Sequence, residues 1–526
     1  MFKTLKARAL FSFILGAIAV FSYSPFDIWL LAFISFAGLI ALIANQTPKR
    51  AIILSFCWGI GYFLAGVHWV FISIRQYGEL PIPISLLILW LFVCYLALYP
   101  LLFGYLLTKL KKFAPQYSLT QLIILSPLLW QFTEYLRANI LGGFAWLQFG
   151  YTQLNSPLKA LFPIIGINGV NLVFCIIVGL TVYIGKVYIA KNAYSQIKQQ
   201  STIANKHLYS AICALILLFF APLLFSNAQW TTTNSKKPID ITLVQANIPQ
   251  SLRWNSNQLQ NTLSTYHQLT EKALKPNSII IWSEAAIPDI EINQQHYLKQ
   301  LDHLAKQNQA SIAVGIIDLQ PTSQDYAIYN SLIVLGDDKP YTYPTSNRYE
   351  KHHLVPFGEY VPLDSVLRPI ADLLNIPMSS MSAGNKKQKP LTIQGYKFLT
   401  VICYEAILSD LVLTNITPDT DFLLTVSNDA WFGNSIGPWQ HLQMARTRAL
   451  EFGRTLLRAT NNGITVIVDE KGDITKQMPQ FTQGTLKATL TAKNGLTPYA
   501  TWGNIPYFII CSLMLLFVLF RSKIKQ

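Results

Sequence analysis

Phe-Leu-Thr-Val-Ile-Cys-Tyr-Glu-Ala, residues 398–406, joins a short apolar, β-branched run to a cysteine and then to a polar pair. A run this short cannot cross a bilayer, and its Val, Ile and Phe content reads as a strand buried inside a soluble sheet. Similar runs surround it: Ile239 to Ala246, Ser278 to Trp282, Ser311 to Ile317, Asn330 to Leu335, Phe422 to Ser427 and Ile464 to Val468. Polar stretches with helical periodicity, Gln258 to Leu274, Gln295 to Gln307 and Trp439 to Leu457, alternate with them. That alternation predicts a soluble α/β domain over residues 229–496.

Outside this domain the chain changes character. Apolar runs near the 20 residues that a bilayer core requires recur at Ala7 to Tyr23, Ile28 to Ala44, Ala51 to Ile74, Ile84 to Leu107, Leu119 to Tyr135, Ile164 to Ile189 and Leu208 to Phe225, with a last one at Ile505 to Phe520. They predict a polytopic α-helical membrane protein of about eight transmembrane helices, with the α/β domain inserted before the last. The expected division is a seven-helix bundle at 1–228, the soluble domain at 229–496, and a final helix with its tail at 497–526. The first run carries no small-residue cleavage site and reads as an uncleaved span.

Composition agrees with this division. Of 526 residues, 52% are hydrophobic and only 13% charged, too apolar for an ordinary soluble protein. A formal net charge of +15 would suit nucleic acid only if it clustered on a soluble face. Instead Lys3, Lys6, Arg8, Lys49, Arg50, Lys109, Lys111, Lys112, Lys186, Lys191, Lys198, Lys206, Arg521, Lys523 and Lys525 border alternate ends of the apolar runs. Cytoplasmic loops carry such an excess, so both termini are expected inside and the α/β domain outside. In a bacterial inner membrane, that side is the periplasm. No nucleic-acid partner is expected.

Five cysteines, Cys57, Cys94, Cys175, Cys213 and Cys511, lie in or beside apolar runs, which leaves Cys403 as the lone thiol of the polar region. Glu284 follows the predicted strand in WSEAAIP, and Lys351 stands in RYEKHHLVPFGEY. A thiol attacks carbonyl carbon as thiolate, a carboxylate can take its proton, and a cation with a backbone N–H can hold the resulting oxyanion. By residue type alone, the same three positions read first as a small core residue, a turn-capping carboxylate and a solvated lysine. His68 has no partner at metal-ligand spacing, and Glu134 and Arg137 stand three apart on one predicted helix, placed to pair structurally.

Taken in order, WSEAAIP, YEKHHLVPFGEYVP and ICYEAI resemble the Glu-Lys-Cys signatures of the nitrilase, or carbon–nitrogen hydrolase, superfamily. With apolar spans on both sides, the chain is similar to that superfamily's membrane-bound branch, the apolipoprotein N-acyltransferases. TEYLRANILGGFAWLQFGY, QANIPQSLRW, VSNDAWFG and RTRALEFGRTLLRATNNGIT extend the likeness over nearly the whole chain.

The resemblance implies a nitrilase-like αββα sandwich and a catalytic triad with Glu284 as base, Lys351 as oxyanion stabiliser and Cys403 as nucleophile. It implies Glu359 as a second essential carboxylate, Tyr404 and Glu405 as the pair following the nucleophile, and Trp254 as a functional loop residue. Trp254, Trp431 and Phe432 are read as an apolar wall for acyl chains. Ser283 and Ala246 depart from the family's usual Pro and Gly, which bears on loop geometry and leaves the reactive groups unchanged.

The implied reaction moves an acyl chain from a phospholipid, expected to be phosphatidylethanolamine, through a cysteine thioester to the α-amine of a diacylglyceryl-modified N-terminal cysteine. No cofactor or metal is implied, and a monomer is expected. A membrane-tethered amidase or nitrilase would share the triad but not the acceptor. A transporter would call for paired broken helices near the bilayer centre, which the spans lack. The polar stretch Pro362 to Lys389 is a candidate mobile flap.

Overall fold

A computed structural model describes residues 4–193, 201–322, 326–365, 368 and 380–524. Lys3, Lys198 and Lys525 of the charge pattern, and much of the Pro362 to Lys389 flap, lie outside the described residues. The chain forms two compact units.

The first unit is helical and takes in the apolar runs. Among the described residues, five helices are long and apolar enough to cross a membrane: Leu5–Ser22, Pro48–Val67, Ile82–Lys109, Pro157–Ala190 and His207–Phe225. The expected count of eight is therefore met only in part. Leu30–Ile43 has 14 residues, about 21 Å of helix against a core of about 30 Å, and the last apolar run forms the helix Ile505–Ile524. The run near Leu119 becomes a wide π turn, Thr120–Leu125, continuing into Ser126–Asn139. Its polarity is explained by a buried pair: Arg137 Nη2 donates to Glu134 Oε2 at 2.6 Å, while Nη1 reaches the carbonyls of Phe144 and Trp146. Both charges are consumed structurally. Close helix packing depends on two glycines, because a Cβ on Gly16 would overlap the Trp58 carbonyl and one on Gly61 the Phe13 carbonyl.

The second unit comprises Gln229–Thr501 and also Ile72–Leu80, so it differs from the 229–496 division read from sequence. Thr497 Oγ1 donates to the Glu451 carbonyl at 2.6 Å and Tyr499 is fully buried against Phe452, which carries the unit past residue 496. Ile72–Leu80 joins it through Ser73 and Tyr77, whose partners are described below.

Two sheets build this unit. One runs Gly484–Leu490, Ile239–Gln245, Ser278–Ile281, Ser311–Pro321, Tyr326–Leu335, Arg348–Glu350, with Ile287–Ile290 beside Ser311–Pro321. The other runs Ile474–Gln477, Val466–Val468, Leu456–Thr460, Phe422–Ser427, Tyr396–Ile402, Leu391–Ile393. Alternation along the strands sorts their side chains. Ile239, Ile241 and Leu243 of the first sheet share a buried core with Phe422, Leu424 and Val426 of the second. On the opposite face of the first sheet, Val244, Ile280 and Ile312 pack on Tyr266, Leu298 and Leu301 of the helices Leu259–Glu271 and Gln295–Gln307. On the opposite face of the second, Leu399, Leu423 and Leu456 pack on Leu442, Ala445 and Phe452 of Gly437–Phe452.

The helix expected over Trp439 to Leu457 ends early. Gly453 takes φ +59° and caps it in the left-handed conformation, after which Leu456–Thr460 becomes a strand parallel to Phe422–Ser427.

Candidate active site

The middle strands of both sheets run parallel: Ile239–Gln245, Ser278–Ile281 and Ser311–Pro321 in one, and Tyr396–Ile402, Phe422–Ser427 and Leu456–Thr460 in the other. Side chains just past the carboxyl ends of parallel strands are held by rigid backbone yet face open space. Glu284 and Cys403 each stand at such an end, and Lys351 follows the short strand Arg348–Glu350.

Glu284 sits on a tight turn whose next residue, Ala285, has φ +41°. Gly315 lies beneath the turn, where a Cβ would overlap the Ser283 carbonyl. Arg253 donates to the carbonyls of Glu284 and Ala285, and Tyr266 and Ser283 share a hydroxyl hydrogen bond at 2.7 Å. The carboxylate is therefore aimed. Its Oε1 accepts from Asn330 Nδ2 and its Oε2 from the backbone N–H of Asn428, both at 2.8 Å.

Lys351 is 1% exposed. Its backbone N–H donates to the Asn330 carbonyl at 2.8 Å, and its Nζ lies 2.7 Å from Glu359 Oε1 and 3.5 Å from Glu284 Oε1. Burial opposes the ammonium charge, but Glu359 and Glu284 outweigh it and raise the lysine's pKa. Glu359 is fixed in turn by the Val355 N–H, which donates to Oε2 at 2.9 Å.

Strand pairing stops at Ile402, and Cys403 opens a 3₁₀ turn with φ +53°. Such a conformation is costly for a side-chain-bearing residue and persists only where its surroundings hold it. Burial, then the negative charge of Glu284, push the thiol up to about 12, with Lys351 pulling the other way. The resting sulfur thus keeps its proton at neutral pH, with the charges of Glu284 and Lys351 acting on it in opposite directions.

This gives a pH prediction. A thiol at about 12 rather than 9.0 has about 10³-fold less thiolate at neutral pH, and iodoacetamide reacts with the thiolate. Carbamidomethylation of Cys403, followed by peptide mass spectrometry, is expected to be far slower in folded protein than in unfolded chain at pH 7.5. It should keep rising about tenfold per pH unit past pH 9, where an ordinary thiol levels off. Equal rates at pH 7.5 would contradict the assignment.

Glu405 is fully buried and its carboxylate is consumed. Oε1 accepts from the N–H groups of His352 and His353 at 2.7 and 2.9 Å, and Oε2 from Ile402 N–H and the Tyr349 hydroxyl at 2.7 and 2.9 Å. Sequence reading gave it only as a partner of Tyr404 after the nucleophile; the geometry makes it the tie between the Lys351 segment and the Cys403 turn. Glu405→Ala would leave four donors unsatisfied at about 1–3 kcal/mol each before relaxation. A loss of more than about 3 kcal/mol is expected, lowering Tm by about 6–12 °C for a unit of this size. An unchanged Tm would refute the tie.

The remaining sequence candidates lie around this centre. Tyr404 is buried and stacks on His353 with centroids 5.8 Å apart. Trp254 is 44% exposed at the end of helix Gln250–Arg253. Trp431 packs edge-on against Tyr77 at 4.6 Å, its carbonyl accepts from Ser73 Oγ at 2.7 Å, and the Ala430 carbonyl accepts from Tyr77 at 2.7 Å. Phe432 meets the His441 ring at 5.9 Å. Among the described residues, no group of three or more His, Cys, Asp or Glu is placed to hold a metal; His68 Nδ1 is 2.9 Å from the Ala65 carbonyl. Sequence reasoning missed Asn330, Asn428 and Arg253, which set Glu284, and the buried Asp429, His441 and Arg458 behind Cys403. VSNDAWFG and RATNNG contain three of these six, but their partners are set by strand register.

Comparison with known proteins divides the chain as the fold does. Residues 15–180 match the apolipoprotein N-acyltransferase N-terminal domain and residues 240–498 the carbon-nitrogen hydrolase family. Proteins named apolipoprotein N-acyltransferase from Vibrio cholerae and Haemophilus influenzae are each 40% identical over 98% of this chain, covering 97% and 94% of their own lengths. One from Haemophilus ducreyi is 41% identical over 99% of this chain and 98% of its own. A nitrilase-like domain joined to apolar helices, matched end to end at this identity, means that the chain belongs to the apolipoprotein N-acyltransferase family.

Proposed function

We propose that this membrane protein transfers a fatty acyl chain from a phospholipid to the α-amine of a diacylglyceryl-modified N-terminal cysteine on an apolipoprotein, with Glu284, Lys351 and Cys403 as its catalytic triad. The supporting observation is the convergence of three separate chain segments, which puts a buried ammonium 3.5 Å from Glu284 and makes both charges act on the Cys403 thiol.

In the first half-reaction Cys403 Sγ attacks the ester carbonyl while Glu284 takes the thiol proton. The oxyanion is held by Lys351 and the Tyr404 N–H. Collapse breaks the ester C–O bond, Glu284 returns the proton to the departing alkoxide, and a lysophospholipid leaves behind a thioester. In the second half the acceptor amine attacks that thioester, its proton passes through Glu284 to the sulfur, and the amide departs with the thiol restored. Trp254, Trp431 and Phe432 supply apolar surface for the acyl chain. Phosphatidylethanolamine is the expected donor, and the enzyme acts as a monomer without metal or cofactor.

Tethering follows from energetics. Moving about 15 methylenes into water at about 0.8 kcal/mol each costs about 12 kcal/mol, so the chain must pass between bilayer and site without entering water. The apolar runs support eight spans, the packing of helices on the outer faces of two sheets supports an αββα domain, and the charge pattern supports cytoplasmic termini and a periplasmic domain in a bacterial inner membrane.

Vesicles containing the protein and acyl-labelled phosphatidylethanolamine test the reaction, with and without a diacylglyceryl-cysteine peptide. Label is expected to stall on the enzyme without peptide and to move into an amide when peptide is added. Continuous release of free fatty acid without peptide would instead make the protein a membrane-tethered hydrolase of the amidase or nitrilase kind.

A further inference from the structure

We propose that His441 is a positioning residue for the oxyanion site: it anchors the Cys403 carbonyl, and Arg458 and Asp429 fix the tautomer that lets it do so. The inference rests on the reaction proposed above and adds a residue to it.

The geometry starts from the strained turn. Cys403 has φ +53°, so something must hold its peptide. A carbonyl only accepts, and His441 Nε2 lies 3.0 Å from the Cys403 oxygen; the ring must therefore carry its proton on Nε2. Arg458 enforces that choice. Its Nη2 lies 3.0 Å from His441 Nδ1, and a guanidinium only donates, so Nδ1 must present its lone pair.

Arg458 is itself fixed by Asp429, with Nη2 3.0 and 2.8 Å from the two carboxylate oxygens. Ser427 Oγ donates to Asp429 Oδ1 at 2.7 Å. Asp429 Oδ1 also lies 3.3 Å from Nδ1, the longer of the two contacts at that nitrogen. All three charged or ionisable side chains are fully buried. Gly463 makes room, because a Cβ there would overlap the Asp429 side chain.

The consequence lies on the other side of the peptide. The Cys403–Tyr404 bond is planar, with C=O and N–H pointing oppositely when trans. Anchoring the oxygen on His441 therefore aims the Tyr404 N–H away from the imidazole. That N–H is the backbone donor assigned to the oxyanion. A preorganised donor of this kind contributes about 10²–10³-fold to rate, and its aim is what His441 supplies. The same ring meets Phe432, so one side chain touches both the nucleophile's turn and the apolar wall.

His441→Leu and His441→Gln, made in the full-length protein in vesicles with labelled phosphatidylethanolamine, separate this role from packing. Leucine fills space without donating, whereas the glutamine amide can donate to the same carbonyl. Single-turnover thioester formation is expected to fall about 10²-fold in the leucine variant, with the phospholipid concentration for half-maximal rate unchanged. The glutamine variant should recover to within about tenfold of the parent. Iodoacetamide alkylation of Cys403 needs no oxyanion donor, so its rate should be unchanged in both. If the leucine variant does not accumulate in membranes, His441→Met serves as the non-donating form.

A leucine or methionine variant that forms thioester within twofold of the parent overturns the inference while leaving the triad standing. So does a parallel fall in alkylation and thioester formation, or a glutamine variant as impaired as leucine. A parent protein that forms no thioester overturns the proposed reaction and this inference with it.

Discussion

Cys403→Ser protein, incubated in vesicles with acyl-labelled phospholipid, is expected to carry no hydroxylamine-labile label, with turnover reduced at least about 10⁴-fold, as for the loss of other catalytic nucleophiles. Serine fits the space that the sulfur occupies, so membrane insertion and the melting temperature should stay close to those of the parent. The other free cysteines, Cys57, Cys94, Cys175, Cys213 and Cys511, remain in this variant. Label persisting on it would place the acyl group elsewhere and remove the basis of the mechanism.

The second large effect is expected at Lys351. Its ammonium is buried between Glu359 at 2.7 Å and Glu284 at 3.5 Å. Lys351→Met removes the cation and leaves one buried carboxylate, Glu284, and one partly buried carboxylate, Glu359, without it. Breaking one member of a buried ion pair costs about 3–5 kcal/mol, so a clear fall in Tm is expected. Thioester formation should fall by about 10³-fold or more, because the oxyanion loses its cation and the thiol loses the charge that pulls its pKa down.

A double variant separates the two losses. Lys351→Met with Glu359→Gln removes one of the stranded charges and should regain much of the stability. Activity should stay lost. Recovery of activity in the double variant would mean that Lys351 serves only to neutralise Glu359.

The sequence made the outline of this arrangement legible because the strands are apolar on both faces and bounded by turns. The run before Cys403 is buried without exception from Phe398 to Ile402, the pattern of a sheet covered on both sides. Cys403 stood out as the polar region's lone thiol, and Glu284, Lys351 and Glu359 followed from ordered motifs.

Register was not legible. Ile402 aligns with Val426, which brings the Ser427–Asp429 turn beside the nucleophile, and no local signal in VSNDAWFG announces that pairing. Asn330 reaches Glu284 because Tyr326–Leu335 pairs with both Ser311–Pro321 and Arg348–Glu350. Ser73 ends one apolar run and Tyr77 lies in the connection after it, where periodicity says nothing about partners more than 350 residues away. The left-handed stop at Gly453 also escaped the helix reading, since the apolar spacing continues through Leu456 and Leu457.

Peptide mass spectrometry of the protein purified from membranes without acceptor reports most directly on where the acyl group resides. The account predicts a fatty-acyl mass on the peptide containing Cys403, removed by hydroxylamine and lost when a diacylglyceryl-cysteine peptide is supplied. An unmodified Cys403 peptide under conditions where the protein still transfers acyl chains to that acceptor would contradict it.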